Sequence, residues 1–139
     1  MMRKLDQRGV AAFEFCLVAV PLFILMFAIF DLGRYAITMH SLRMLANAGG
    51  RAWMICYQND VILDQPFTNC TASALVPDSV RQNNIAPFLY AGGLTPTLDI
   101  PATATSPLTV TASQPGFTML MPIWGTALNA PSASTSVPF

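Results

Sequence analysis

Glu14 is the one charged side chain in residues 9–30, a run of 22 mostly apolar residues. About 20 apolar residues in helical form cross the hydrocarbon of a bilayer, and a helix satisfies its own backbone hydrogen bonds there. A carboxylate inside such a span costs about 2.5–3.5 kcal/mol even on lenient insertion scales, so it needs a reason. Three are open. Glu14 sits little more than a turn into the span and can snorkel to the interface. Desolvation can keep it protonated. Or it can wait for a positive partner. The residues before it point to the third: a cut after Gly9 would leave the new amino group on Val10, four residues from the carboxylate. Ammonium and carboxylate would then share a site that neither occupies cheaply alone.

The other reactive side chains are sparse. Cys16 lies in the span and reads as a small apolar filler. Cys56 and Cys70 lie beyond it and can pair. Closing a loop of about 15 residues would stabilise the fold by about 3 kcal/mol, and it needs an oxidising compartment. Two separate buried thiols are the alternative. They form no CxxC pair and lack partner ligands for zinc, so no metal is expected. His40 is the only histidine, and any Ser-His-Asp or Cys-His device would have to be built around it. Asp60, Asp64, Asp78 and Asp99 are scattered without a calcium-loop pattern. Gly49-Gly50 and Gly92-Gly93 lack the lysine and spacing of a phosphate loop. Asn69-Cys70-Thr71 fits the N-glycosylation rule only formally. Neither an enzyme nor a cofactor is expected.

The element that must position Glu14 is a long helix. Val10 opens the span and Phe30 closes it, with Pro21 in the middle leaving the carbonyl of Leu17 without its helical partner. A mild bend and a turn that melts when subunits pack both fit. Residues 1–9, with Arg3, Lys4 and Arg8 against Asp6, resemble the head of an export signal. A secretory signal has a shorter apolar core and a small-residue cleavage site after it; this span is expected to stay attached. Three basic groups before it, against Arg34 and Asp31 just after it, put the short head in the cytoplasm by the positive-inside rule.

The helical pattern continues through residues 31–57. Tyr35, Met39, Leu42, Ala46, Gly49, Trp53 and Cys56 recur at spacings of four and three, which at about 100° per residue makes one stripe. His40, Arg43, Asn47 and Arg51 fall on a flank roughly 80–160° away, as a wet face should. The expected rod is about 70 Å long. Either a small domain covers the stripe or it is a self-assembly seam; Ile37, Met44, Ala48 and Ile55 offer a further side. Gly49 and Gly50 each cost about 1 kcal/mol there against alanine, for close packing or for a bend.

Beyond Tyr57 lie ten of the eleven prolines and only five charged residues, which excludes long helices. Residues 58–76 read as loop with at most a short turn. Residues 77–82 can open a brief helix with Asp78 in its first turn. Strands are expected at 97–100, at 108–113, where apolar and hydroxyl residues alternate, and at 132–137. Residues 117–124, the most apolar exported stretch, are limited by Pro122 to an edge or a loop. The fold class is therefore α+β: a long N-terminal helix, transmembrane then amphipathic, packed by a small antiparallel sheet. The chain divides into a leader (1–9), a span (10–30), an amphipathic extension (31–57) and a loop-rich exported domain (58–139). Zero formal net charge argues against a nucleic-acid partner.

Gly9 followed by VAAFEF resembles the type IV prepilin cleavage motif: a glycine, four residues, then glutamate and an aromatic at the head of an apolar helix. The stretch RGVAAFEFCLVAVPLFILMFAIFDLGR resembles the TadE/TadF-like minor pilins, or pseudopilins, of the tight-adherence (Flp) pilus system. Gly9, Glu14, Phe15, Pro21, Asp31, Gly33 and Arg34 match the recurring pattern, and Ala46, Asn47, Arg51 and Ala52 continue it, over about residues 8–53. At position 31 glutamate is commoner in the family, and the three cysteines are not part of its pattern.

The resemblance implies cleavage between Gly9 and Val10 by a prepilin peptidase on the cytoplasmic side of the inner membrane. It also implies a periplasmic domain, and work in pilus initiation or at the tip, with possible incorporation in the pilus. The implied partners are the other pseudopilin, the major Flp pilin, the inner-membrane assembly platform and the lipid bilayer. The competing readings are an uncleaved single-pass envelope protein with a periplasmic binding domain, its surface at residues 117–124, and a secreted adhesin with the helix as an uncleaved signal.

Overall fold

A computed structural model describes residues 8–64, 70–101 and 106–138. The basic residues Arg3 and Lys4 of the leader, and Asn69 of the glycosylation tripeptide, lie outside the described residues.

One helix, α1 (Arg8–Leu63), runs for 56 residues and passes unbroken through Pro21, a length of about 84 Å. Residues 58–63 therefore extend the helix and are not the loop expected from composition. No proline or glycine interrupts the chain between Gly50 and Pro66. The helix ends where Asp64 turns into the left-handed region at φ +49°, the αL residue that commonly closes a helix. Pro66 then disfavours helical backbone at the residue before it.

Two short helical turns follow, α2 (Ala72–Leu75) and α3 (Asp78–Val80), then a wider turn at Arg81–Ile85 and a 3-10 segment at Pro87–Gly93. Three strands, β1 (Thr97–Asp99), β2 (Leu108–Ser113) and β3 (Ser132–Val137), make one antiparallel sheet in the order β1-β2-β3. Register sets Leu98 opposite Ala112 and Ala112 opposite Ala133. The alternation in β2 sends Leu108, Val110 and Ala112 to the helix, and all three are fully buried. Residues 117–124 form a loop ending in a 3-10 turn at Pro122–Trp124.

The two halves of α1 have different fates. Through residues 10–30 almost every side chain is bare. Beyond them Leu42, Leu45, Ala46 and Trp53 are buried against the sheet and the connecting turns, while His40, Arg43, Asn47 and Arg51 face solvent. The stripe is thus covered by the chain's own domain. Full burial of each Leu or Val contributes about 1.5–3 kcal/mol.

The sheet can lie flat on the helix because of Gly49 and Gly50. A Cβ on Gly49 would come within 3.2 Å of Leu98 and Val110 side-chain carbons, and one on Gly50 within 3.2 Å of Val137 Cγ2. The glycines serve close packing, and the helix does not break at them.

Candidate functional site

Gly9 and Val10 lie in the first turn of α1. Glu14 stands exposed one turn further on, and Phe15 beside it is 70% exposed. No ion pair involves Glu14 among the described residues. From Val10 to Phe30 the domain covers essentially nothing, which distinguishes this helix from the buried core helix of a soluble protein. It is long and apolar enough to cross a membrane, consistent with a single-pass anchor.

The second cluster sits where the apolar run ends. Asp31 is 1% exposed. Its Oδ1 and Oδ2 accept the Leu120 N–H at 3.2 and 3.1 Å, and Oδ2 accepts the Met121 N–H at 3.0 Å. Arg34, one turn on, holds its Nη1 3.5 Å from Asp31 Oδ1. That is an ion pair by charge and distance but not a hydrogen bond. The guanidinium lies 5.3 Å from the centroid of the Phe117 ring, within cation–π range, and Tyr35 meets the same ring at 6.3 Å. Asp31, Arg34 and Tyr35 thus grip one loop, and Thr38 Oγ1, donating to the Arg34 carbonyl at 2.9 Å, tightens that turn. Gly33 has open space where a side chain would stand.

Cys56 and Cys70 are joined in a disulfide, with Cα atoms 5.9 Å apart. It ties α1 to the start of α2. Asp60 Oδ2 lies 3.3 Å from Cys70 Sγ. Bridged sulfurs are not thiolate ligands, so this trio offers a metal one carboxylate and no more. Cys16 is free and exposed on the span. His40 is exposed on the wet face of α1.

Two buried polar residues escape a reading of the sequence. Arg81 is 7% exposed; its Nε donates to the Val76 carbonyl at 2.6 Å, Nη2 to the Ala72 carbonyl at 3.0 Å, and Nη1 to Asp78 Oδ1 at 3.1 Å. It is the only cation after Tyr57, which is the one signal that could have marked it. Gln114, 1% exposed, donates through Nε2 to the Leu89 carbonyl at 2.8 Å and pins the 3-10 segment to the end of β2. Burial, then the Asp78 carboxylate beside it, raises the Tyr90 phenol above its ordinary range, with Arg81 opposing.

In a comparison with protein families, residues 9–51 match the family described as TadE-like protein. Over those residues the chain is similar to the TadE-like family. The matched segment takes in the apolar run, Glu14, Asp31, Arg34 and the helix as far as Gly49, Gly50 and Arg51, and stops short of the disulfide and the sheet. Searches of curated proteins and of solved structures return no match.

Proposed function

We propose that this chain is a membrane-anchored minor pilin, or pseudopilin, of a tight-adherence (Flp) pilus, acting in pilus initiation or at the tip. A prepilin peptidase on the cytoplasmic face of the inner membrane cuts between Gly9 and Val10. The domain around the sheet faces the periplasm, an oxidising compartment suited to the Cys56–Cys70 bridge. Glu14 then pairs with the Val10 ammonium of its own or a neighbouring subunit. The partner pseudopilin, the major Flp pilin and the assembly platform meet the bare face of α1.

The observation that carries this is a coincidence of boundaries. The TadE-like match falls on a single helix whose first half is uncovered apolar surface, with one carboxylate near its start that has no ion-pair partner among the described residues. A subunit that waits in lipid and then bundles with its neighbours needs such a helix. Beyond the span Ile37, Met44 and Ile55 are also exposed. Ile55 lines a groove of about 550 Å³ between α1 and the edge strand β3, so apolar surface for a neighbouring helix continues outside the bilayer.

The test is the N-terminus of the protein extracted from membranes of a host with active prepilin peptidase, read by Edman chemistry or intact mass. A mature chain starting at Val10 is expected, and loss of the peptidase should restore the full leader. A chain that keeps residues 1–9 in the competent host overturns the proposal in favour of an uncleaved envelope protein.

A further inference from the structure

We propose that the loop at residues 118–125 is a second membrane contact, which seats Leu120, Ile123 and the Trp124 indole in the headgroup zone of the bilayer that α1 crosses. This rests on the reading of residues 10–30 as a span.

Position comes first. Phe30 ends the apolar run, and Asp31, the next residue, accepts the N–H groups of both Leu120 and Met121. A helix rises about 1.5 Å per residue, so the backbone of the loop is fastened at the level where hydrocarbon gives way to headgroups.

Composition agrees. Leu120 is 73% and Ile123 58% exposed, the two barest large apolar side chains among the described residues outside α1. Phe88, 39% exposed, lines a cleft with Arg34 and Phe117 on the same side of the domain. Residues 100–139 contain no Asp, Glu, Lys, Arg or His, so the loop can enter the interface without desolvating a charge.

Trp124 is half-buried; its Nε1–H is turned inward and finds no acceptor among the described residues, so the part of the indole left bare is its apolar body. A partly bare indole at this level suits the membrane interface, where tryptophan is enriched. Arg34, at the same level and 39% exposed, provides a cation beside lipid phosphates. A lipid interface suits all these features together. A protein partner would have to be supplied to the same place, and nothing else lies so close to the end of the span.

The test uses the full chain in a Cys16→Ser background with the disulfide left oxidised, reconstituted in phosphatidylcholine–phosphatidylglycerol vesicles. An environment-sensitive fluorophore is attached at Ile123→Cys, and in parallel chains at Leu25→Cys in the span and Ser134→Cys on β3. The label at 25 should report hydrocarbon and that at 134 water. The label at 123 should be blue-shifted, several-fold brighter than at 134, and quenched by headgroup nitroxides more than by deep ones. Leu120→Cys repeats the measurement if the first variant melts abnormally. Water-like readings at 120 and 123, with 25 still in hydrocarbon, overturn the inference, and a partner protein would then be the loop's occupant. A water-like reading at 25 instead refutes the span itself, and this inference with it.

Discussion

The carboxylate of Asp31 accepts the backbone N–H of Met121 at 3.0 Å, joining residues 90 positions apart where the apolar run of α1 ends. A second N–H, from Leu120, falls on the same carboxylate. Hydrogen bonds to charged groups contribute about 1.5–3 kcal/mol each. Asp31→Ala leaves two N–H groups short of an acceptor and should cost about 2–3 kcal/mol, read as a lower unfolding midpoint of the full chain in detergent. Asp31→Asn keeps one acceptor oxygen and should lose less. Limited proteolysis should cut the 118–125 loop faster in both, most in Asp31→Ala. Unchanged stability in Asp31→Ala would show that the clamp contributes nothing.

Gly49 and Gly50 are neighbours in the helix with unequal surroundings. The side-chain carbons that crowd Gly49 belong to Leu98 and Val110, both buried in the sheet. Gly49→Val therefore overpacks the helix–sheet contact and should cost about 2–3 kcal/mol. Gly50 faces Val137 and Thr135 near the end of the edge strand, which are only half-buried and can yield. Gly50→Ala gains helix propensity worth about 1 kcal/mol and should leave stability equal or slightly higher. Denaturant titration of the two variants side by side checks the asymmetry; an equal loss in both would refute it.

The Cys56–Cys70 bridge closes a loop of about 15 residues, worth about 3 kcal/mol in the chain-entropy model. The oxidised chain should run faster than the reduced one on a denaturing gel. Cys56→Ser and Cys70→Ser should each abolish that shift and lower the unfolding midpoint alike. A double variant should be no worse than either single one, because the two residues form one link.

These contacts mark how far the sequence could be read. Both longer strands were legible at 108–113 and 132–137 because their alternation is local. The covered stripe was legible because residues three and four apart share a helix face. The role of Asp31 was not, since its partners are backbone groups 89 and 90 residues away that any residue could supply. Arg81 and Gln114 were missed for the same reason: each donates mainly to carbonyl groups that tertiary structure brings to it. The glycine pair read equally as hinge or as contact until the sheet was in place. The end of α1 was misplaced by composition, because the density of prolines after Tyr57 hides six residues, Gln58 to Leu63, that contain none.

Glu14 carries the last prediction, which separates an assembly charge from a tolerated one. It is exposed on the span, and no ion pair involves it among the described residues. If the Val10 ammonium is its partner, the pair exists only after cleavage. Glu14→Val should then leave processing intact but cut pilus formation at least about tenfold, the equivalent of 1.4 kcal/mol. Gly9→Val should block the cut and abolish assembly outright. In the Gly9→Val background, removing Glu14 should have no further effect on the chain's retention in the membrane, since the amine it would meet never forms. Piliation counted by electron microscopy and leader loss read by mass decide it. Normal pili on Glu14→Val cells would show that the carboxylate merely snorkels to the interface, and the charge-pairing account would fall while the cleavage account stood.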